Sequence, residues 1–236
     1  MARTNEFGQT IGLPVANWTP RPQPGAVTLT GRHCRLEPLD ATAHAADLFA
    51  AYRSAGDDSD WTYLSMEPFG SVEQYREYAE KAARSVDPRH FAVIDASSDR
   101  AIGTLALLRI DPANGVIEVG SVAFSPLLKQ STRSTEAHYL LMAYAFDVLG
   151  YRRYEWKCDD LNGPSRKAAE RLGFQYEGTF RRAAIYKGRN RDTAWYSIIG
   201  EDWPTIKAAF DAWLSLDNFD VDGKQHRSLG AIRATA

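Results

Sequence analysis

VIEVGSVAFSP (Val116–Pro126) opens the stretch that decides the fold, and this stretch continues to Gly150. Its first nine residues are mostly apolar and rich in β-branched side chains, which predicts a strand in the middle of a sheet. Its end, HYLLMAYAFDVLG (138–150), spaces its apolar residues as a helix does, and Gly150 predicts where that helix stops. The apolar positions of the predicted helix are Ala137, Leu141, Tyr144, Ala145 and Val148.

The polar turn between this strand and this helix has the chemistry of an anion site. At such a junction, free backbone N–H groups and the positive end of the helix dipole face the same point. The turn adds two cations and four side chains with hydroxyl or amide groups, so we expect a phosphorylated ligand there. Its residues are Lys129, Gln130, Ser131, Thr132, Arg133 and Ser134.

The composition excludes several classes of protein. Apolar residues make up 44% of the 236 residues and charged residues 25%, as in ordinary soluble globular proteins. The formal net charge of −2 gives no general reason to expect nucleic acid or an anionic membrane as a partner. No apolar run reaches the ~18 residues of a membrane span, and the N-terminus lacks the apolar block of a secretion signal. Cys34 and Cys158 stand in no metal-binding spacing, so we predict a cytoplasmic, metal-free protein.

The elements around the central stretch predict an α+β architecture. Antiparallel strands precede it, including a hairpin of His90–Ala96 with Ala101–Ile110, and a second hairpin follows near the C-terminus. A strand at Tyr151–Cys158 implies a parallel pair, because strand, helix and strand follow one another within about forty residues. The predicted divisions are an extended arm (1–26), one domain (27–216) and a polar tail (217–236).

Three motifs identify a family. The string NGPSRKAAERLGFQYEG (Asn162–Gly178), with SVAFSP before the turn and STEA at the start of the helix, resembles the GNAT acetyltransferases. Within that family the chain looks most like the branch that includes the ribosomal-protein N-terminal acetyltransferases. The similarity covers roughly residues 30 to 200. It implies a GNAT-like mixed central sheet flanked by helices, with antiparallel strands and a central parallel pair that splays to admit the cofactor.

The resemblance also implies that acetyl-coenzyme A binds at the turn through its pyrophosphate. Family members usually carry a [QR]-x-x-G-x-[GA] turn, and here Lys129 takes the cation position while Thr132 and Ser134 replace the two small residues. The site then either survives, with side chains such as Arg133 replacing some backbone contacts, or binds the cofactor weakly or not at all. A solvated basic loop is the alternative interpretation.

Two residues are candidates for catalysis. Glu118 is the predicted general base, since it shares a strand face with Gly120 and partial burial raises a carboxyl pKa. Its alternative is a solvated residue or an ion pair with Arg109 or Arg153. The ribosomal branch implies a serine at a helix start as proton donor, and Ser165 matches that position; its alternative is a helix N-cap.

The resemblance assigns the remaining cofactor contacts to one strand and one turn. Val122, Ala123 and Phe124 would follow the pantetheine arm, with N–H groups of the first and third polarising the thioester carbonyl. Gly120 within the same strand suggests a bulge or a close backbone approach. Asn162 would reach the pantetheine amides, or it is simply a turn residue.

Aromatic residues in the loop 54–70 are candidates for an acceptor pocket. Trp61, Tyr63 and Phe69 would form its wall, because the corresponding loop does so in relatives; otherwise they cover the core. A cationic cluster near the C-terminal hairpin would receive an acidic substrate, a peptide or a nucleic acid, or it is a solvated hairpin with salt bridges. That cluster consists of Arg181, Arg182, Lys187, Arg189 and Arg191.

The predicted function is transfer of an acetyl group from acetyl-coenzyme A to a primary amine. The acceptor is a protein or peptide N-terminus, an amino acid or a small amine. The rival hypothesis is a non-catalytic coenzyme A binding or regulatory module on the same fold. It is motivated by the lost glycines and by the tyrosine that many family members carry where this chain has Ala169. A nucleic-acid-binding protein is disfavoured by the balanced charge. The terminal hairpin and the arm are candidate surfaces for a homodimer.

Overall fold

The computed structural model describes residues 3–235 and contains a two-stranded hairpin, an eight-stranded sheet and flanking helices. The elements, in chain order, are β1 (Arg3–Thr4), β2 (Thr10–Ile11), β3 (Leu29–Thr30), β4 (Cys34–Pro38), α1 (Ala41–Arg53), α2 (Val72–Arg84), β5 (Arg89–Asp95), β6 (Ala101–Asp111), β7 (Val116–Phe124), α3 (Thr132–Ala143), β8 (Arg153–Asp159), α4 (Gly163–Leu172), β9 (Gln175–Tyr186), β10 (Arg189–Ile199), α5 (Trp203–Trp213) and α6 (Leu229–Arg233).

The large sheet has the strand order β3-β4-β5-β6-β7-β8-β10-β9. Its neighbouring strands run antiparallel except for β7 and β8, which are parallel and joined by the crossover through α3. The predicted α+β class and its single parallel pair are therefore confirmed. The strand predicted at Val116–Phe124 has those bounds in the structure.

Helices cover both faces of this sheet and divide the core in two. On one face α1 and α2 pack against β5 and β6 around Leu48, Tyr52 and Tyr75. On the other face α3, α4, α5 and α6 enclose the larger core, which includes Leu141, Tyr154 and Phe210.

The helix predicted from residues 137 to 150 ends in a π-type turn over Tyr144–Val148. The N–H of Leu149 bonds the carbonyl of Tyr144, so this turn holds one more residue than an α-helical turn. The extra residue rotates Val148 into solvent at 70% exposure and buries Leu149 instead. The prediction that Val148 continues the buried face was wrong for that reason, whereas Gly150 does end the helix with a φ of 72°.

Parts of both terminal segments pack on the domain. In the N-terminal segment, the indole N–H of Trp18 donates to the carbonyl of Ala113, and the hydroxyl of Tyr151 donates to that of Pro22. In the C-terminal segment, α6 buries Leu229 and Ile232 against the main core, although the sequence predicted only a polar tail there. The division into arm, domain and tail stays a prediction. Among the helices of residues 3–235, none has the length and apolar character needed to span a bilayer.

Candidate active site

The parallel strands β7 and β8 separate at the centre of the sheet. Their paired residues run from Val116 with Arg153 to Val119 with Trp156, and within the described chain no pairing of the two strands continues beyond that point. Next to this divergence β7 carries a β-bulge, where Ser121 has a φ of 48° and the register against β6 shifts. Gly120 therefore marks the bulge that the sequence suggested, one residue before it. The edge of β7 that faces β8 is open over Gly120–Phe124.

A cavity of about 60 Å³ lies beside this open edge. It joins three groups that the sequence assigned separately to the site: the end of β7, the turn before α3, and the aromatic loop before α2. The lining residues are Tyr52, Asp60, Trp61, Leu64, Val122, Ala123, Phe124 and Lys129. The structure thus brings Val122, Ala123, Phe124, Lys129 and Trp61 together, as expected of one site.

The aromatic loop contributes unequally to this cavity. Trp61 is buried and packs edge-on against Tyr52 and Phe69, each at a centroid distance of 5.6 Å, so it both covers the core and lines the cavity. Phe69 lines a smaller neighbouring cavity. Tyr63 ties the loop to the turn before α4, because its hydroxyl donates to the carbonyl of Leu161 at 3.1 Å.

Tyr52 is a cavity residue that the sequence did not reveal. It lies one helical turn after Leu48 on the buried face of α1, and no motif distinguishes it from a core residue. Its hydroxyl donates to the carbonyl of Ala123 at 3.1 Å and lies 3.1 Å from the hydroxyl of Thr104. Burial raises the pKa of Tyr52 well above its ordinary value, so the phenol stays protonated and holds the end of β7 in place.

His138 closes the gap between the diverging strands from the side of α3. Its ring lies between those of Phe124 and Trp156, with centroid distances of 5.4 and 5.2 Å. Burial lowers the pKa of His138 to about 3, so this imidazole is neutral at physiological pH. No sequence motif distinguishes this position, because His138 continues an ordinary helical pattern.

The turn before α3 presents backbone donors. Ser131 is the N-cap of α3, and its hydroxyl accepts the N–H of Ser134 at 3.2 Å and donates to the carbonyl of Leu128 at 2.6 Å. The N–H groups of four consecutive residues, Gln130–Arg133, have no acceptor anywhere in residues 3–235. Four N–H groups without acceptors at a helix start are the geometry that binds phosphate oxygens.

The missing glycines cost this turn no backbone strain. Thr132 and Ser134 lie within α3 and have helical backbones, so a side chain is tolerated at both positions. The positive φ in the turn, 54°, belongs to Gln130. The hydroxyl of Ser134 donates to the carbonyl of Ser131 at 2.7 Å. We expected side chains of the turn to replace lost backbone contacts to the ligand. The hydroxyl groups of Ser131 and Ser134 do not fit this expectation, because they form hydrogen bonds with the backbone at the start of α3.

The two cations of the turn have different partners. Lys129 forms an ion pair with Asp60 of the aromatic loop, across the cavity. Arg133 points towards β5, where its Nη1 lies 2.7 Å from Oδ2 of Asp95. Lys129 therefore faces the cavity, whereas Arg133 is held at the opposite side of the turn.

Glu118 lies in the paired part of β7, below the point where the strands separate. It is buried, and its Oε2 lies 2.7 Å from Nζ of Lys157 and 3.5 Å from Nη1 of Arg109. Burial raises the pKa of Glu118 above its ordinary value, although Lys157 and Arg109 oppose that rise. The raised pKa agrees with the role of a general base. The ion pair with Arg109 agrees with the alternative, in which Glu118 is only an ion-pair partner. Glu118 is not among the residues that line the cavity.

Ser165 and Asn162 have distinct roles at the start of α4. Asn162 is the N-cap, because its Oδ1 accepts the N–H of Ser165 at 3.1 Å. The hydroxyl of Ser165 accepts the indole N–H of Trp156 at 3.0 Å. The interpretation of Ser165 as the helix cap was wrong. Its hydroxyl instead lies beside Trp156, the β8 residue at which the parallel pairing ends.

The cationic hairpin contacts the aromatic loop from outside the cavity. Nζ of Lys187 donates to the carbonyl of Trp61 at 2.8 Å and lies 3.0 Å from the carboxylate of Glu67. Arg189 donates to the carbonyl of Thr62 at 2.6 Å. These contacts fit the interpretation of a hairpin with salt bridges. Across residues 3–235, no group of three or more His, Cys, Asp and Glu side chains is arranged to hold a metal ion.

Comparisons with known proteins agree with this geometry. Residues 33–175 match the family described as "Acetyltransferase (GNAT) domain". A crystal structure of a GCN5-related N-acetyltransferase from Brucella melitensis is 50% identical, with a TM-score of 0.91 over 93% of this chain and 100% of that one. A structure of a probable GNAT-family acetyltransferase from Chromobacterium violaceum is 38% identical, with a TM-score of 0.76 over 81% and 96%.

A protein from Bacillus licheniformis is similar to this chain in sequence. The protein named "Uncharacterized N-acetyltransferase p20" from Bacillus licheniformis is 30% identical over 161 residues, which covers 67% of this chain and 89% of the relative. Its name and those of the two solved structures describe acetyltransferases. The family match and these relatives agree with the diverging parallel strands and the turn before α3, and the chain belongs to the GNAT family of acetyltransferases.

Proposed function

We propose that this protein transfers an acetyl group from acetyl-coenzyme A to a primary amine, as an N-acetyltransferase. One observation carries the proposal: a single cavity joins the donor-rich turn, the open edge of β7 and the aromatic loop. A turn alone would suit any phosphate, and an open strand edge alone any extended amide chain. Their junction suits a ligand that carries both, which is the chemistry of coenzyme A.

The turn fits the diphosphate of the coenzyme. The N–H groups of Gln130–Arg133 supply neutral donors, and Lys129 supplies a positive charge at the cavity wall. The open edge at Val122–Phe124 then receives the amides of the pantetheine arm, as a strand edge receives a peptide. Asn162, whose Oδ1 caps α4, stays a proposed contact of this arm through its amide N–H₂ group.

The chemistry divides among three groups of this chain. Glu118 takes the proton that an ammonium acceptor must lose before its nitrogen attacks the carbonyl carbon. N–H groups of Val122 and Phe124 stabilise the negative charge that develops on the carbonyl oxygen. As the carbon–sulfur bond breaks, Ser165 passes a proton to the thiolate and recovers one from the nitrogen, which must lose its second proton to become an amide. Because thiols have pKa values near about 8.5, the last step needs the least help.

The acceptor is a small amine or the N-terminus of a peptide. Trp61 forms the part of the cavity wall that the acceptor contacts. The motif around Asn162 and Ser165 supports placement in the branch of the ribosomal-protein N-terminal acetyltransferases. Tyr63 and Phe69 contribute by fixing the loop that carries Trp61. A homodimer through the terminal hairpin or the arm stays a prediction.

Two measurements test this function. Isothermal calorimetry with coenzyme A should show binding that Lys129→Met weakens. A thiol-release assay with acetyl-coenzyme A over a panel of primary amines should show turnover that Glu118→Gln lowers by about 10²-fold or more. Absence of binding would remove the whole proposal. Binding without thiol release for any amine would instead support the non-catalytic coenzyme A module.

A further inference from the structure

Two charged side chains of opposite sign line the cavity beside β7. Asp60 and Lys129 form an ion pair across it, and their side chains remain 34% and 41% exposed. The hydroxyl of Tyr52, which also faces the cavity, is already engaged with Ala123 and Thr104. Asp60 and Lys129 are therefore the groups with which a charged ligand in this cavity interacts first.

Binding of the coenzyme at the turn changes the partner of Asp60. In the proposed function, Lys129 faces the diphosphate, which carries more negative charge than one carboxylate and competes for the ammonium. Asp60 then stands beside the bound phosphates without a counterion, and that arrangement is unfavourable. A cation that enters the same cavity restores the balance. Primary amines carry such a charge at neutral pH, because their pKa values lie near about 8 to 10.4.

We propose that Asp60 binds the acceptor amine as an ammonium once the coenzyme has taken Lys129. This inference rests on the proposed function and adds the residue that receives the acceptor and the class of amine that suits it. Coenzyme binds first, because Asp60 is occupied by Lys129 until then. Asp60 acts in binding, while removal of the proton stays with Glu118.

The charges that line the cavity also select among amines. A free amino acid would bring a carboxylate into a cavity whose lining cation is committed to phosphate. Lys187 and Arg189 lie close by, but they donate to the carbonyl oxygens of Trp61 and Thr62 outside the cavity. The preferred acceptors are therefore amines without a carboxylate beside the nitrogen, such as diamines and the N-termini of peptides.

The substitution Asp60→Asn tests the proposal through two effects of opposite sign. The KM for 1,4-diaminobutane should rise about tenfold, because a charge-assisted hydrogen bond is lost. The Kd for coenzyme A, measured by calorimetry, should fall about two- to fivefold, because Lys129 no longer has a competing partner. Asp60→Glu keeps the charge and should stay near wild type in both measurements.

Asp58→Asn is the matched control for charge. Asp58 is exposed in the same loop, two residues away, and its side chain forms no capping bond in the structure described here. It should leave both constants within about twofold of wild type. The order of binding is tested with wild type alone, since calorimetry should detect 1,4-diaminobutane only when coenzyme A is present. Glycinamide should be acetylated and glycine should not.

The outcomes separate this inference from the proposed function. If wild type does not bind coenzyme A, the proposed function fails. If wild type binds and turns over, but Asp60→Asn changes neither constant beyond twofold, Asp60 does not bind the acceptor. A rise of both constants together would show that Asp60 only supports the loop, and it would overturn the inference equally.

Discussion

Nζ of Lys157 lies 2.7 Å from a carboxylate oxygen of Glu118 and 2.7 Å from one of Glu155. All three side chains are less than 10% exposed, and the ammonium also lies 3.7 Å from the centroid of the Trp195 ring. One buried cation thus balances two buried anions on neighbouring parallel strands. Since Glu118 is the proposed base, Lys157 influences the pH at which that base is ionised.

The substitution Lys157→Met should move the pH dependence of the reaction. A base acts only when ionised, so kcat/KM falls as the pH drops through the pKa of Glu118. Burial already raises that pKa and Lys157 opposes the rise, so loss of Lys157 should raise it further. The acidic limb of kcat/KM should therefore shift to higher pH, as measured by thiol release across the pH range.

Lys207→Met is the matched control, since Lys207 is a half-exposed ammonium on α5 that lies 3.7 Å from Asp147 and from Asp211. It should leave the acidic limb unchanged. An unmoved limb in Lys157→Met, in an enzyme that remains folded and active, would show that Glu118 does not set the pH dependence.

Loss of Asn162 and loss of Ser165 should have different effects at the start of α4. Asn162→Ala removes the side-chain oxygen that accepts the N–H of Ser165, and loss of such a cap should cost about 1 kcal/mol in the free energy of unfolding. Ser165→Ala keeps that cap but removes the proposed proton donor, and kcat should fall by up to about tenfold. Urea unfolding and thiol release measure the two effects. A kcat of Ser165→Ala equal to that of wild type would remove the donor role.

The two cations of the turn should differ in their effect on coenzyme binding. Lys129 faces the cavity, so Lys129→Met should weaken coenzyme A binding by about tenfold. Arg133 is held by Asp95, so Arg133→Met should change the affinity by about twofold at most. Each variant serves as the charge control of the other in calorimetry. Equal losses would mean that Arg133 leaves Asp95 to bind phosphate.

Thr132→Gly restores one residue of the usual family turn and should not tighten coenzyme binding. Thr132 already has a helical backbone, and the N–H groups of the turn are free without glycine. The added flexibility of glycine in the first turn of α3 should instead lower stability by about 0.5–1 kcal/mol. Tighter binding in this variant would show that the threonine side chain obstructs the phosphates.

Local signals explain how much of the fold could be predicted. The strand Val116–Phe124 has the predicted bounds, because a run of apolar, β-branched residues determines the local backbone over a few neighbours. The helix stop at Gly150 likewise follows from a φ of 72° that glycine adopts readily. The prediction that Val148 is buried was wrong because one added residue in a helical turn changes which side chain faces the core. No residue type in the sequence predicts such an added residue.

The sequence predicted several residues of the site, but not which of them contact one another. The sequence placed Lys129, Trp61 and Phe124 in one site through a family resemblance, and they do share a cavity. The sequence did not identify Asp60 as a site residue. An acidic residue in a polar loop is a candidate for binding only once its ion pair with Lys129 across the cavity is known. The same holds for Ser165, whose hydroxyl meets the indole of Trp156 nine residues earlier. Such contacts depend on how elements pack, which single-sequence patterns do not encode.

Glu136 connects α3, which carries the turn, to the edge of the sheet. Its buried carboxylate accepts the backbone N–H groups of Arg32, His33 and Cys34 at 2.7–2.8 Å. Gly31 leaves room for it, since a Cβ at that position would lie 2.4 Å from the carboxylate carbon. The carboxylate is at the end of a flexible side chain, but three hydrogen bonds hold it in place.

Gly31→Ala should therefore lower the free energy of unfolding by roughly 1–3 kcal/mol, because the new methyl group displaces a buried acceptor from its donors. Glu136→Gln should cost a similar amount, since the amide keeps one acceptor and places N–H donors against backbone N–H groups. Because both substitutions break the same set of bonds, the double variant should be less destabilised than the sum of the two. Urea unfolding of the four proteins completes this cycle.

Gly25→Ala is the control for adding a methyl group to the same segment. A Cβ at Gly25 would meet Val27 at 3.6 Å and the Tyr144 hydroxyl at 3.8 Å, which are ordinary contacts. Its stability should stay within about 0.5 kcal/mol of wild type. If the costs of Gly31→Ala and Glu136→Gln were simply additive, the two residues would act independently, and Glu136 would not be the reason that position 31 requires glycine.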